Sequence, residues 1–367
     1  VTPPEEPIEA VSQRLERFAQ DRLAEATGIG GEATAFVRSA SDALRGGKRL
    51  RARFCVTGWR AVTDAVDAMS GRPSRPLSGE VVAAAAALEV FQAAALVHDD
   101  LVDNSDTRRG RPAAHRRLEA DHRTAGWSGD AEAFGRSAAI LLGDLLVAWS
   151  DDLLEEGLRE APHAAAARVE YARMRRDVTV GQFLDVAEEA AFRTAPDDEH
   201  AARALRIASL KSARYSVQQP LLIGAALAGA DAAQHDALSR FGHPVGLAFQ
   251  LRDDVLGVFG DSAVTGKPSG DDLREGKRTL LVAYAREALA AGARRVFDEL
   301  IGDPSLEVGQ IASLQQTIAD TGALARVEEH IAAFADEADR ALRGAPLGNA
   351  AVGQLRDLAR AATTRTA

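Results

Sequence analysis

The sequence predicts an all-α protein, a single large helical bundle with no significant sheet. Three observations carry that expectation. Alanine, arginine and leucine are the commonest residues while aromatic residues make up only 5%, a balance that favours helix over strand. Long segments repeat their apolar residues with helical spacing between short clusters of Gly, Pro, Ser and Asp. With 46% hydrophobic and 27% charged residues in 367, the chain has apolar side chains enough for one large core.

Residues 1–20, opening VTPPEEPIEA, read as a partly flexible N-terminal segment and 21–367 as the helical domain. In EVVAAAAALEVFQAAALVHDD (80–100) bulky apolar residues fall at 81, 88, 91 and 96 with alanines between them, and Glu80 after Ser78 and Gly79 marks a helix start. Breaker-rich stretches at 70–79, 121–130, 193–199, 260–277, 301–305 and 343–348 delimit roughly ten or more helices of typical length. Pro220 should kink or divide the segment 203–229. No period of about 20 to 50 residues repeats, which argues against a solenoid. The stretch 260–277 exceeds the usual connection of ~4–6 residues and carries lysines and aspartates, which suits a functional lid.

Cys55 is the only cysteine, so there is no intrachain disulfide or thiolate metal cluster, and a reducing cytoplasm is expected. The N-terminal residues lack a charged-then-apolar signal, and apolar runs such as PLLIGAALAGA (220–230) are too short for a membrane span. A net charge of −10 argues against a nucleic-acid partner. Any anionic ligand must therefore meet a local positive site. Of 44 Lys plus Arg, only Lys48, Lys211, Lys267 and Lys277 are lysine. A lysine kept where arginine is the rule suggests a compact ammonium reaching a phosphate oxygen in a crowded cavity.

Asp99 and Asp103 lie four apart, on one helix face one turn from each other, with Asp100 turned roughly 100° away. Like charges at that spacing repel, and the apolar turn FQAAALV before them does not suit a solvated surface. A second acidic pair, Asp253 and Asp254, again follows an apolar helical stretch. Carboxylates from two helices facing one cavity would bind hard cations, magnesium where water and phosphate oxygens complete the shell.

With GGKRLR (46–51), HDDLVDNSDTRRGRP (98–112), LKS (210–212), FQLRDD (249–254) and TGKPSGDDLREGKRT (265–279) in this order, the chain resembles the trans-isoprenyl diphosphate synthases, the polyprenyl synthetase family. The resemblance implies an isoprenoid synthase-like bundle around a central cavity, working as a homodimer. It implies that Asp99 and Asp103 hold magnesium on an allylic diphosphate and Asp253 a further ion, supported by Asp254 and Asp271, about three ions in all. Arg108, Lys211, Ser212, Lys267 and Gln250 would meet the allylic diphosphate, Lys277 would belong to the lid, and Lys48, Arg51, Gln92 and Arg109 would hold isopentenyl diphosphate. The implied primers are dimethylallyl, geranyl or farnesyl diphosphate. The chemistry is ionisation of the allylic C–O bond, attack by the isopentenyl double bond and loss of a proton, in a site kept free of water.

Family members often carry a third aspartate where this chain has Gly257, which weakens the expected third metal site. Gln92 stands where many have histidine and Ser212 where many have threonine, both keeping hydrogen-bonding capacity. His98 more readily orients a carboxylate or loop than ligates metal, and His115 reads as structural. The product chain should run down the helix before Asp99, each turn of about 5.4 Å matching roughly one isoprene unit. Ala94 and Ala95 are too small to stop it and Phe91, a turn deeper, forms the floor. Geranylgeranyl diphosphate is the expected product, with longer polyprenyl diphosphates as the alternative. A terpene cyclase would not need GGKRLR, and a non-catalytic subunit would not need an intact first aspartate motif.

Overall fold

The structure is a computed structural model that describes residues 5–108, 110–261 and 269–363. Apart from one hairpin of two-residue strands, β1 (Thr107–Arg108) and β2 (Arg111–Pro112), the described regular structure is helical. The hairpin sits directly after the first aspartate motif and turns the chain back on itself there.

The centre of the bundle is α4 (Gly79–Val102). Its alanines let α3 (Leu50–Met69) and α6 (Ala131–Leu158) approach closely, and Leu88, Val90 and seven of its alanines are nine-tenths or more buried. Ser150 of α6 donates its hydroxyl to the Ala87 carbonyl at 2.6 Å, one of few polar contacts between two greasy faces. By length and composition α4 could cross a bilayer, contrary to the expectation that no apolar run was long enough. Its apolar surface is instead taken up by neighbouring helices, as in a core helix.

The N-terminal segment contributes to the bundle. Over its described residues it is the first part of α1 (Glu5–Thr27), with Val11, Leu15 and Phe18 buried and the Phe18 ring edge-on to Trp149 at 5.8 Å. Those three residues recur at i, i+4 and i+7, an apolar stripe that the proline- and acid-rich opening hides. The breaker-rich stretch 121–130 is helical for its first four residues, the end of α5 (Ala114–Thr124), before Asp130 caps α6 by accepting from the amides of Glu132 and Ala133.

After α2 (Gly31–Ala43) and α7 (Ala164–Ala191), the chain passes through a short 3₁₀ turn at Phe192–Thr194 to α8 (His200–Ile207). It then widens into a π-helix over Ala208–Gln218 before α9 (Gln219–Leu227). Pro220 lies just past the wide segment. Having no N–H, it cannot complete an α-helical bond to the carbonyl four residues back, so the regular ladder is interrupted there. The second half is built on α10 (Ala232–Phe259), α11 (Asp271–Glu275), α12 (Leu280–Ala288), α13 (Ala291–Leu300), α14 (Val308–Asp320), α15 (Ala323–Leu342) and α16 (Asn349–Thr363). Arg252 of α10 ties this half together, donating twice to Glu328 of α15 at 2.6 and 2.7 Å and once to the Thr363 carbonyl at 3.0 Å. Cys55 is fully buried, and burial pushes its thiol up to about 12, so it is a core residue and not a nucleophile.

Candidate active site

Two lysines engage the first acidic motif. Asp99, in the last turn of α4, lies 3.3 Å from the Lys211 ammonium, which also donates to Asp185 of α7 at 2.6 Å. Asp103 ends the same helix and is 3.8 Å from Lys277, whose ammonium reaches Glu275 at 2.8 Å and Asp272 at 3.6 Å. Lys277 thus spans from the first motif to the short helix α11, and the Ser105 hydroxyl closes the same gap by donating to Glu275 at 3.1 Å. On α10, Gln250 donates to Asp254 at 2.6 Å, and Asp254 and Asp253 complete the acidic wall.

The π-helix brings Lys211 to this place. Its broader turns are frequent at functional sites, and α7 runs directly against it: a Cβ on Gly181 would lie 2.4 Å from the Lys211 backbone nitrogen. Only glycine permits that approach. Gln182 and Asp185, on the same stretch of α7, therefore belong to the site, and the buried Gln182 amide nitrogen has no protein partner. Neither residue was expected from the sequence, although GQFLD places a polar pair three apart in an otherwise apolar run.

Charge explains the rest. Burial pushes the Asp99 carboxyl up, yet Lys211, Lys277 and Arg108 outweigh it and hold Asp99 below its ordinary value. Burial and then the Asp99 charge raise Asp103 to about 6. Burial and then Asp185 raise Glu189 to about 7, and burial and then Asp272 raise Asp254 to about 8. Lys211 and Lys277 stay charged despite burial because acids surround them. Burial first and neighbouring carboxylates second thus raise Asp103, Glu189 and Asp254, while Lys211 and Lys277 pair with the acids that stay charged. Among the described residues, no three His, Cys, Asp or Glu side chains form a ready-made metal cage. The Asp99 and Asp103 carboxylates of α4 and the Asp253 and Asp254 carboxylates of α10 suit a cation which takes one or two carboxylates and draws its other ligands from water and a phosphate.

Asp100 faces away from this cavity and is buried, with the Arg108 guanidinium on it, Nε at 2.6 Å, while a second Arg108 nitrogen lies 3.4 Å from Asp99. The second motif departs from the family pattern in a way the structure makes physical. A Cβ on Gly257 would fall 2.0 Å from a carboxylate oxygen of Asp272. Asp272, one residue beyond the expected Asp271, lies over the missing side chain and brings a carboxylate from α11.

A second cluster lies at the start of α3. Arg51 stacks on the Tyr215 ring at 4.1 Å and donates to the Ser216 hydroxyl at 2.7 Å. The Tyr215 hydroxyl donates to Gln92 at 2.6 Å. Arg49 holds a left-handed backbone (φ 52°) and donates to the Leu44 carbonyl at 2.7 Å, while buried Glu89 accepts from the Ala52 amide at 3.0 Å. These contacts fix the GGKRLR turn at the positive end of α3, a place suited to an anion. Lys48 is exposed beside it. Tyr215 and Glu89 were not foreseen. Arg109 and Lys267 lie outside the described residues. His98 faces the Ile140 carbonyl at 3.2 Å and Asp144 at 3.5 Å, away from the aspartates, and His115 is buried. Phe91 is buried, with its ring edge-on to Tyr171 and Tyr215 at 6.5 and 5.8 Å; Ala94 is buried and Ala95 half-buried.

The polyprenyl synthetase family profile matches residues 34–318. The chain belongs to the polyprenyl synthetase family. A geranylgeranyl pyrophosphate synthase from Corynebacterium glutamicum, solved with isoprenyl diphosphate and magnesium, superposes with a TM-score of 0.89 at 37% identity over 98% of both chains. A geranylfarnesyl diphosphate synthase from Natronomonas pharaonis is 30% identical over 86% of this chain and 82% of its own. A geranylgeranyl diphosphate synthase from Mycobacterium tuberculosis is 37% identical over 59% of this chain and 55% of its own. This polyprenyl synthetase is accordingly an enzyme of prenyl transfer, with the all-α bundle of its relatives.

Proposed function

We propose that this polyprenyl synthetase joins isopentenyl diphosphate to an allylic diphosphate, head to tail, and that its main product is geranylgeranyl diphosphate. The observation that carries the reading is the alternation of Lys211, Asp99, Lys277 and Asp103 at the mouth of the apolar helix α4. Magnesium, which Asp99, Asp103 and Asp253 would hold in about three ions, supplies neutralisation of the departing diphosphate when bound. Lys211, Lys277 and Arg108 add positive charge at the leaving oxygens, where it strengthens as the allylic bond ionises. Arg51, Gln92 and Tyr215 form the place for the second diphosphate and orient its double bond. That separate cluster favours a two-substrate synthase over a cyclase.

Ala94 leaves the channel open one turn below Asp99, and the Phe91, Tyr171 and Tyr215 rings close it further down. Relatives bear the names of farnesyl, geranylgeranyl and geranylfarnesyl synthases, so such local side chains, and not the fold, set length. A homodimer is supported by exposed Ile140 and Leu141 on α6 and Val180, Phe183 and Val186 on α7, and the lone buried cysteine suits the cytoplasm. The test is incubation of the purified protein with magnesium, isopentenyl diphosphate and each allylic primer in turn, with and without chelator. Prenyl elongation that chelator abolishes is expected; no elongation with any primer refutes the proposal.

A further inference from the structure

The residue after Lys277 is buried on the other side of the chain. Residues 277–279 form the irregular link between α11 and α12, with Thr279 extended before its helix, and the side chains of 277 and 278 go to different neighbours. Lys277 enters the acidic cavity, and Arg278 turns into the body of the bundle with 9% of its side chain exposed. Its guanidinium carbon lies 3.5 Å from the centre of the Phe192 ring. One nitrogen donates to the Ile301 carbonyl at 3.3 Å, and another lies 3.7 Å from Asp298, a longer contact than a hydrogen bond. Its Nε and Nη1 have no hydrogen-bond partner.

That is a poor environment for a buried cation by hydrogen bonding alone. Asp298 is already engaged by Arg286, at 3.0 Å to both of its oxygens. What Arg278 has in full is a flat aromatic face, which a planar guanidinium covers and an ammonium does not. Phe192 is itself buried and sits in the 3₁₀ turn that ends α7, the helix that brings Asp185 and Glu189 to the cavity. Nearby, buried Glu188 accepts from His200 at 3.1 Å and is bound by Arg203, so the turn carrying Phe192 is fixed.

We infer that Arg278 is a positioning residue: stacked on Phe192, it fastens the exit of the lid to the end of α7 and so holds Lys277 among Asp103, Asp272 and Glu275. The inference rests on the proposed role of Lys277 at the diphosphate. Displacing the guanidinium frees the backbone at 278, and the Lys277 ammonium then spreads over many positions instead of one.

Binding of inorganic pyrophosphate with magnesium, followed by calorimetry alongside kcat and KM, tests it in Arg278→Lys, Phe192→Leu, Phe192→Tyr, the double variant Arg278→Lys/Phe192→Leu, and Arg278→Lys on a Lys277→Met background. Arg278→Lys and Phe192→Leu are each expected to weaken pyrophosphate binding about tenfold with unchanged helicity, a size suited to one desolvated stack. The double variant should lose no more than either single, Phe192→Tyr should bind like the parent because it keeps the ring, and Arg278→Lys should add nothing once Lys277 is gone. Additive losses in the double variant, or an undiminished Arg278→Lys effect on the Lys277→Met background, overturn the inference while leaving the proposed function intact. Unchanged pyrophosphate binding in Lys277→Met alone overturns both the inference and the reading of Lys277. If Arg278→Lys does not fold, the comparison of Phe192→Leu with Phe192→Tyr decides: equal binding in the two refutes the stack.

Discussion

Replacing Phe91 with alanine should lengthen the product by one isoprene unit. The ring is buried and meets Tyr171 and Tyr215 edge-on at 6.5 and 5.8 Å. It lies two turns before Asp99 on α4, about 12 Å along the axis at ~1.5 Å per residue. Its loss should cost about 3–5 kcal/mol of stability, including the two ring contacts, each worth roughly 0.5–1.5 kcal/mol. In a domain of this size that lowers the melting temperature by no more than roughly 6–20 °C, at about 2–4 °C per kcal/mol. The assay pairs a melting curve with chromatography of the prenyl alcohols released from the products. A folded variant that still makes the parent product refutes the placement of the floor at Phe91, whatever its melting temperature.

Two further outcomes are expected. Asp103, raised to about 6, and Asp254, raised to about 8, bind more protons folded than unfolded, so these two groups destabilise the ligand-free protein increasingly as pH rises from about 4 to 8. Magnesium with pyrophosphate should therefore raise the melting temperature more at pH 8 than at pH 5.5 and release protons on binding at the lower pH; equal shifts at both values, with no proton release, would contradict the shared cation site. Arg108→Ala leaves Asp100 buried without its guanidinium, so stability should fall by about 3 kcal/mol or more along with activity; activity lost with an unchanged melting temperature would show that the Asp100 contact does not support the fold.

The parts of this molecule that were legible in sequence are those written locally. Helical class follows from residue preferences that act one residue at a time, and the Asp99–Asp103 pair from a spacing of four. Asp185 was not legible because its link to Lys211 crosses 26 residues and depends on a π-helix, for which the sequence offers only Pro220 as a hint. Asp272 was missed for a related reason: the vacancy at Gly257 that receives it lies on another helix. The docking of α1 was obscured because an acidic, proline-bearing opening outweighed three well-spaced apolar residues.

The two lysines at the centre of the site have a consequence for how substrate arrives. Lys211 and Lys277 already neutralise Asp99, Asp103 and their neighbours, so the cavity is a charge-compensated salt of its own side chains and stands assembled beforehand. On the proposed reading, entry of a metal diphosphate would be an exchange of counter-ions: the aspartates would hold the metal, the lysines would meet the phosphate oxygens, and few side chains would have to travel far. Such a site can reset after each addition simply by returning to its internal pairing, a useful property for an enzyme that must repeat the same step on a lengthening chain.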